Sequence, residues 1–374
     1  MARLLFIIPF SALAISVAIA APRHSNGSPR LTETSVTSAS PSGERESASP
    51  LIVKTEALLD RAHFSPGEID GEDGDNYRRA LRAFQQANNL HDTGKLDAET
   101  WNALTSSRSP EPVLKHYTLS AEDVAGPFEK SIATNLDEMA RLPGLTYTTT
   151  LAEIAEKFHM GESLLRELNP RINFSQAGAE IVVANVSPMP LRSSPHTVEA
   201  EPPASSEAEG ARAQTIVVDK PARNVRAYAE NGTLLAFYPA TIGSDEKPAP
   251  SGVFKVRRVV WNPEFVYDPK FAWKGVKAQA KLTVKPGPNN PVGVVWIDLT
   301  APAYGIHGTP QPDDIGKTES HGCVRLTNWD AVDLAARVRP GTVVKFEDQD
   351  APVVAPSQPG PVSEKLRSES NRQP

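Results

Sequence analysis

The residue types best suited to chemistry lie close together in the C-terminal third of the chain. The only cysteine, Cys323, comes two residues after His321 and 16 residues after His307. A thiol with an ordinary pKa of ~8.5 is only partly ionised at neutral pH, and a nearby imidazole can take its proton and make the sulfur a nucleophile. The spacing therefore indicates covalent catalysis by a cysteine and a histidine.

Glycines accompany both residue types, since Gly308 follows His307 and Gly322 precedes Cys323. Because glycine adds no bulk and allows unusual backbone angles, successive N–H groups near the cysteine can point at one oxygen, as an oxyanion hole requires. Metal binding is the alternative for two histidines and a cysteine. It is the weaker interpretation, because the site offers one thiolate and no His-x3-His spacing. We expect neither a metal nor another cofactor.

The elements that must position these residues are predicted to be mostly strands. Short β-branched or aromatic runs, separated by turn residues, occur at 215–218, 225–228, 234–237, 252–260, 292–299 and 342–346. One helix is predicted from Asn328 or Trp329 through Val338, with apolar residues on one face. Several strands at close spacing indicate a mainly β domain over 214–347, either a β-sandwich or a barrel.

Two motifs in this region resemble the L,D-transpeptidase family, which has the YkuD-type catalytic domain. They are His307-Gly308-Thr309 and, after a gap, Ser320-His321-Gly322-Cys323-Val324-Arg325. The resemblance spans essentially all of 214–347 and implies the L,D-transpeptidase fold. Many members carry asparagine two residues after the cysteine, where this chain has Arg325, so the role of that position is less firmly implied.

The resemblance implies how the reaction proceeds. Cys323 would be the nucleophile, His307 the base that takes its proton, and the Gly308 carbonyl the group that orients the imidazole in place of a carboxylate. The thiolate would attack the L-centre diamino acid carbonyl of a peptidoglycan stem tetrapeptide. D-Alanine would leave, and an acceptor amine would convert the thioester into a 3→3 cross-link.

The remaining motif residues would bind the reacting groups. The backbone N–H groups of His321, Gly322 and Cys323 would stabilise the tetrahedral intermediate. Ser320 and Arg325 would shape the donor pocket. The implied partners are stem peptides and glycan strands, and outer-membrane proteins are a further possible class of acceptor.

Other functions stay open at this point. The same residues would serve an L,D-carboxypeptidase if water attacks the thioester, or an amidase that releases proteins already attached to the wall. The chain could also be a non-catalytic wall-binding protein. The formal net charge of −6 argues against a general nucleic-acid binder, which usually carries a basic domain. We expect a monomer that binds no nucleic acid.

The N-terminus indicates export. Arg3 precedes an apolar stretch from Leu4 to Ala21 that ends in an A-x-A cleavage pattern, which is typical of a signal peptide over residues 1–20. An uncleaved anchor is the alternative. Both interpretations place the folded part in the periplasm or cell envelope. The polar residues 21–50 are predicted to be a disordered linker.

A chain of 374 residues is too long for one domain of usual size, so it is expected to be multidomain. Apolar residues at helical spacing over 51–107 predict a small three-helix domain. Its text resembles the bacterial peptidoglycan-binding domain, through Ile69-Asp70-Gly71, Ala83-Phe84-Gln85 and Thr100-Trp101. The alternative is a spacer bundle that binds nothing.

A second small unit is predicted over 142–187, after a connector at 108–141. It contains two helices and a C-terminal strand, and its text resembles a LysM module, an α+β binder of N-acetylglucosamine polymers, chiefly through Asn169-Pro170. The sequence pattern for the first strand of such a module is weak here. Residues 188–213 read as a proline-rich linker and 348–374 as a disordered tail.

Overall fold

The computed structural model describes most of the chain between Leu31 and Asp348. The described residues are 31–41, 48–106, 111–133, 135–190, 212–244, 246–269, 280–320 and 322–348. The predicted signal peptide at 1–20 lies outside them, as do His321 and most of the predicted segments 188–213 and 348–374. Within the described part, no helix combines the length and the apolar character needed to cross a bilayer.

The described residues of the N-terminal helical unit, 31–41 and 48–106, form four helices. They are α1 (Glu33–Ser38), α2 (Ala48–Arg61), α3 (Asp75–Ala87) and α4 (Ala98–Ser106). Helices α2 to α4 pack around a buried cluster that includes Leu59, Leu81 and Phe84. Leu81 and Phe84 belong to the apolar stripe that predicted α3, so the expected helical domain is present, while its bounds of 51–107 stay a prediction.

Helix α1 lies within residues 21–50, which were predicted to be a disordered linker. The structure differs for residues 31–41 of that segment. Thr32 and Ser35 cap α1 reciprocally, and Val36 is fully buried. Val36 packs in the core of the next unit, together with Leu31. Two apolar residues are too few to give a helical period, so the sequence pattern could not reveal a helix that depends on a neighbouring surface.

The middle unit, residues 113–186, combines two strands with short helices. Its elements are β1 (Leu114–Thr118), α5 (Ala121–Ala125), α6 (Leu136–Met139), α7 (Thr150–Lys157), α8 (Glu162–Leu168) and β2 (Glu180–Ala184). Helix α7 begins after Thr149, whose side chain accepts a hydrogen bond from the Ala152 N–H. Strands β1 and β2 pair antiparallel, with Leu114 opposite Ala184.

The first strand of the middle unit lies in the segment 108–141, which was predicted to be a connector. The unit therefore begins before residue 142, the boundary placed by the sequence. Strand β1 was missed because Leu114 is its only fully buried residue, and polar side chains such as Lys115 and His116 break the expected alternation. Pairing with β2 stabilises the strand, and a long-range partner of this kind leaves no local signal.

The C-terminal domain is mainly β, as predicted. Its strands are β3 (Thr215–Asp219), β4 (Asn224–Tyr228), β5 (Leu234–Pro239), β6 (Thr241–Ile242), β7 (Gly252–Trp261), β8 (Phe265–Tyr267), β9 (Leu282–Val284), β10 (Val295–Leu299), β11 (Gly305–His307), β12 (Val324–Arg325) and β13 (Val343–Glu347). The helix α9 (Asn328–Arg337) follows β12. Strands β8 and β9 form a separate hairpin.

Within the described residues of this domain, nine strands form one bent sheet in the order β5-β4-β3-β13-β7-β10-β11-β12-β6. The long strand β7 makes the bend, because residues 252–255 pair with β13 while 256–261 pair with β10. The two end strands, β5 and β6, follow each other along the chain with only Ala240 between them. The sheet is thus nearly closed into a barrel, and α9 packs against the same apolar core.

All three units meet at α9. Ser65 of the helical unit donates a hydrogen bond to Asp330 on α9 at 2.9 Å. His159 of the middle unit contacts Asp60 at 2.9 Å and stacks on Trp329, with ring centroids 5.3 Å apart. The helical unit also reaches β5, where the Phe237 N–H donates to the His63 carbonyl and the Phe237 carbonyl accepts from the Ser65 N–H.

Candidate active site

Strands β11 and β12 place His307 and Arg325 side by side. The two strands are parallel, with Ile306 opposite Val324 and His307 opposite Arg325. Ile306 and Val324 are fully buried in the core. Because side chains alternate along a strand, His307 and Arg325 lie together on the other face of the sheet. The Leu326 N–H donates to the His307 carbonyl at 2.9 Å and fixes this register.

The His307 ring is oriented by its neighbour. Its Nδ1 lies 2.7 Å from the Gly308 carbonyl oxygen. A carbonyl only accepts hydrogen bonds, so Nδ1 carries the proton. Burial, and then the charge of Arg325, lower the pKa of His307 to about 3, against the opposing effect of the Gly308 hydrogen bond. The ring is therefore neutral near pH 7, and its Nε2 has a free lone pair that can accept a proton.

Trp296 supports the other side of this imidazole. It lies opposite His307 on β10, and the two rings stack with centroids 5.4 Å apart. The indole occupies the space above Gly305, where a Cβ would come within 2.5 Å of its Cζ2 atom. Sequence reasoning did not select Trp296 as a site residue. It would have done so had the short strand Gly305–His307 been recognised, because a hairpin joining it to β10 brings the tryptophan beside the histidine.

Cys323 lies immediately before β12 and two residues from Arg325. The charge of Arg325 acts on the Cys323 sulfur, so the two side chains lie near each other, and the cysteine is partly exposed. Burial raises the pKa of the Cys323 thiol, and a backbone hydrogen bond with Gly305 and the Arg325 charge oppose that effect. The resting sulfur is accordingly a thiol that needs a base.

The turn before Cys323 is held by Ser320. Its hydroxyl donates to the Cys323 carbonyl at 2.6 Å and accepts from the Gly322 N–H at 3.3 Å. The Gly322 donor predicted for the intermediate is thus engaged with this hydroxyl. Ser320 itself is only 2% exposed and braces the turn, and its expected part in shaping a donor pocket stays a prediction. Gly322 has φ +106°, and a Cβ there would approach the Tyr304 ring at 3.0 Å.

Arg325 supplies the positive charge at the site. Burial lowers the pKa of its guanidinium, while Cys323 and Asp314 raise it. The same charge lowers the pKa of His307 and that of Cys323, so all three groups lie within electrostatic range of one another. His321, which was predicted to help bind the intermediate, lies outside the described residues.

The loop that joins the two motifs is held by the helical unit. Asn76 of α3 donates to the Ile315 carbonyl at 2.8 Å. On its other side the Thr241 hydroxyl accepts from the Gly316 N–H at 2.9 Å and donates to the Asp314 carbonyl. The charge of Asp314 raises the pKa of Arg325. The segment that contains Asp314 is therefore held by hydrogen bonds from two parts of the chain, one to Ile315 and the others to Asp314 and Gly316. Sequence reasoning gave the helical unit no such role.

Comparisons with known proteins match two parts of the chain. Residues 213–346 match the YkuD family, described as "L,D-transpeptidase catalytic domain". Residues 49–104 match the family described as "Putative peptidoglycan binding domain". Both matches coincide with the regions whose motifs gave those resemblances, whereas the LysM-like interpretation of 142–187 stays a prediction.

Individual relatives cover different shares of this chain. The "Putative L,D-transpeptidase YkuD" of Bacillus licheniformis is 28% identical over 53% of this chain and 93% of that protein. The "Probable L,D-transpeptidase YbiS" of Escherichia coli is 30% identical over 57% of this chain and 64% of that protein. A solved L,D-transpeptidase from Mycobacterium smegmatis is 21% identical, with a TM-score of 0.30, over 36% of this chain and 59% of the other.

Proposed function

Because residues 213–346 form an L,D-transpeptidase catalytic domain of the YkuD family, we propose that the protein cross-links peptidoglycan through a Cys323 thioester. The observation that carries the proposal is the hydrogen bond of 2.7 Å between His307 Nδ1 and the Gly308 carbonyl. It leaves Nε2 unprotonated on the face of the sheet that also bears Arg325, whose charge acts on both His307 and Cys323. A raised thiol pKa calls for such a base.

The proposed donor is a stem tetrapeptide. His307 Nε2 takes the thiol proton as the Cys323 sulfur attacks the carbonyl of the L-centre diamino acid. The bond to the terminal D-alanine breaks, its amine takes that proton from His307, and a thioester remains. The side-chain amine of a second stem then attacks the thioester and transfers a proton to His307, which returns it to the sulfur. The product is a 3→3 cross-link, and no outside energy source is required because the thioester conserves the bond energy.

The location of the substrate supports this proposal. Residues 49–104 form a peptidoglycan-binding domain, which would hold the catalytic domain at the wall. The apolar stretch from Leu4 to Ala21 supports export to the periplasm or cell envelope. Stem peptides and glycan strands are thus the proposed partners, and protein amines are a further class of acceptor.

The decisive experiment incubates the purified protein with disaccharide-tetrapeptides and analyses the products by mass spectrometry. We expect free D-alanine and a dimer that has lost one D-alanine, and neither product with Cys323→Ala. Dimers formed by Cys323→Ala would refute the mechanism. Tripeptide without dimer would instead indicate an L,D-carboxypeptidase, and release of proteins from purified walls would indicate an amidase. Retention on walls with no reaction would indicate a binding protein.

A further inference from the structure

Asn328 fills a closed space beside the catalytic histidine. It is the first residue of α9 and is fully buried. Its side-chain oxygen lies so close to Gly308 and Gly293 that a Cβ on either glycine would overlap it. Gly308 is the residue whose carbonyl orients His307, so the position of the Asn328 carboxamide limits where that carbonyl can lie.

The carboxamide is itself fixed by three hydrogen bonds. Its oxygen accepts from the Val294 N–H at 3.2 Å. Its nitrogen donates to the Pro288 carbonyl at 3.2 Å and to Glu156 Oε1 at 2.8 Å. The bond to Glu156 is the shortest of the three.

Glu156 comes from the middle unit, 172 positions away in the sequence. It lies on α7, and its Oε1 also accepts from the Tyr147 hydroxyl at 3.1 Å. The middle unit is held in place separately by His159, which stacks on Trp329 of α9. The position of the Glu156 side chain is therefore set by the packing of the middle unit. Its Oε1 accepts from two donors, the Tyr147 hydroxyl and the Asn328 amide.

We propose that Glu156 is a positioning residue for His307, acting through Asn328 and Gly308. The middle unit then completes the active site of the C-terminal domain, whether or not it also binds glycan. The effect on catalysis rests on the proposed cysteine chemistry, but the effect on the His307 ring does not. Removing Glu156 leaves the Asn328 amide with one acceptor and frees the Gly308 carbonyl to shift.

The test compares Glu156→Ala with Glu156→Gln in the full chain. Glutamine keeps an acceptor oxygen for Asn328, whereas alanine removes it. Glu153→Ala is the matched control, because Glu153 lies on the same helix and its charge acts on Glu156 and Tyr147, whereas the hydrogen bond to Asn328 comes from Glu156. The first readout is the ¹⁵N signals of the His307 ring, assigned by their loss in His307→Gln. The second is acylation of Cys323 by a carbapenem, followed by intact-protein mass, with rate constant and binding constant measured separately.

Glu156→Ala should change the ring signals of His307 and lower the acylation rate constant about 10-fold, with the binding constant unchanged, because small misplacements of catalytic groups are costly. Glu156→Gln should stay within about twofold of wild type, and Glu153→Ala should match wild type. Unchanged ring signals in Glu156→Ala would overturn the proposal even if activity fell. If wild type is not acylated, the proposed function fails, and the ring signals still decide this inference. Should Glu156→Ala not fold, Tyr147→Phe, which removes one donor to Glu156 Oε1, must shift the His307 ring signals from their wild-type positions, and unshifted signals would overturn the proposal.

Discussion

The contact between Gly305 and Trp296 offers a sharp test of how His307 is held. A Cβ on Gly305 would lie 2.5 Å from indole Cζ2 and 2.7 Å from Cε2, whereas ordinary contacts begin at 3.4 Å. In Gly305→Ala the indole must therefore retreat by about 0.9 Å. Trp296 stacks on His307, so the imidazole loses its support on that side. We expect acylation of Cys323 to slow by about 10²-fold, since a misplacement near 1 Å can have that effect.

The same substitution should lower the free energy of unfolding by about 1–3 kcal/mol, which is the usual cost of overpacking. Carbapenem acylation measured by intact mass gives the rate, and urea unfolding gives the stability. Gly74→Ala is the control, because a Cβ there meets open space. In the double variant Gly305→Ala/Trp296→Leu the clash disappears, so the two effects on stability should not add. Wild-type acylation by Gly305→Ala would refute the view that the indole positions the histidine.

Three further predictions follow from the site and its supports. In Arg325→Met, loss of the positive charge should raise the pKa of Cys323, so the pH profile of alkylation by iodoacetamide moves to higher pH; a profile that is unchanged or moves down contradicts this. Asn76→Ala should lower the free energy of unfolding by about 1–2 kcal/mol, since the hydrogen bonds of its side chain to the Ile315 carbonyl and from Arg79 are both lost. It should also speed amide exchange in the loop around Ile315, and unchanged exchange would show that α3 does not restrain the loop. Burial raises the pKa of Glu156 from 4.5 to about 7, so between those values the folded chain binds more protons than the unfolded one and stability falls as pH rises. Melting temperatures measured from pH 5 to 8 should therefore decline less steeply in Glu156→Gln than in wild type, and equal slopes would contradict this.

Much of the architecture could be predicted from local patterns. The long strand β7 and the helix α9 are continuous enough for period and composition to reveal them. The strands that were missed are short, such as β11 with three residues and β12 with two. Pairing with neighbours distant in sequence stabilises these strands, and no window of a few residues records that pairing. Strand β1 was missed for the same reason.

The candidate site divides in a similar way. Reactive side chains and their glycines form contiguous motifs, so His307, Gly308 and Cys323 could be selected from sequence. The supporting groups could not be found that way. Trp296 reaches the histidine through strand register, and Glu156 reaches Asn328 from a different unit of the fold. Neither carries a local signature, because each acts through packing or one hydrogen bond whose partner is set by the tertiary structure.

The backbone hydrogen bonds that Phe237 makes with His63 and Ser65 affect how a truncated form of the protein should behave. Phe237 lies on β5, the terminal strand of the nine-stranded order, and its side chain belongs to the apolar cluster of the helical unit. A terminal strand left bare offers unsatisfied amides as a template for another chain. The helical unit covers this edge of the sheet, because its backbone bonds to Phe237 as a neighbouring strand would. A fragment reduced to the C-terminal domain would expose the unpaired backbone groups of β5 and the apolar side chain of Phe237. We expect such a fragment to self-associate.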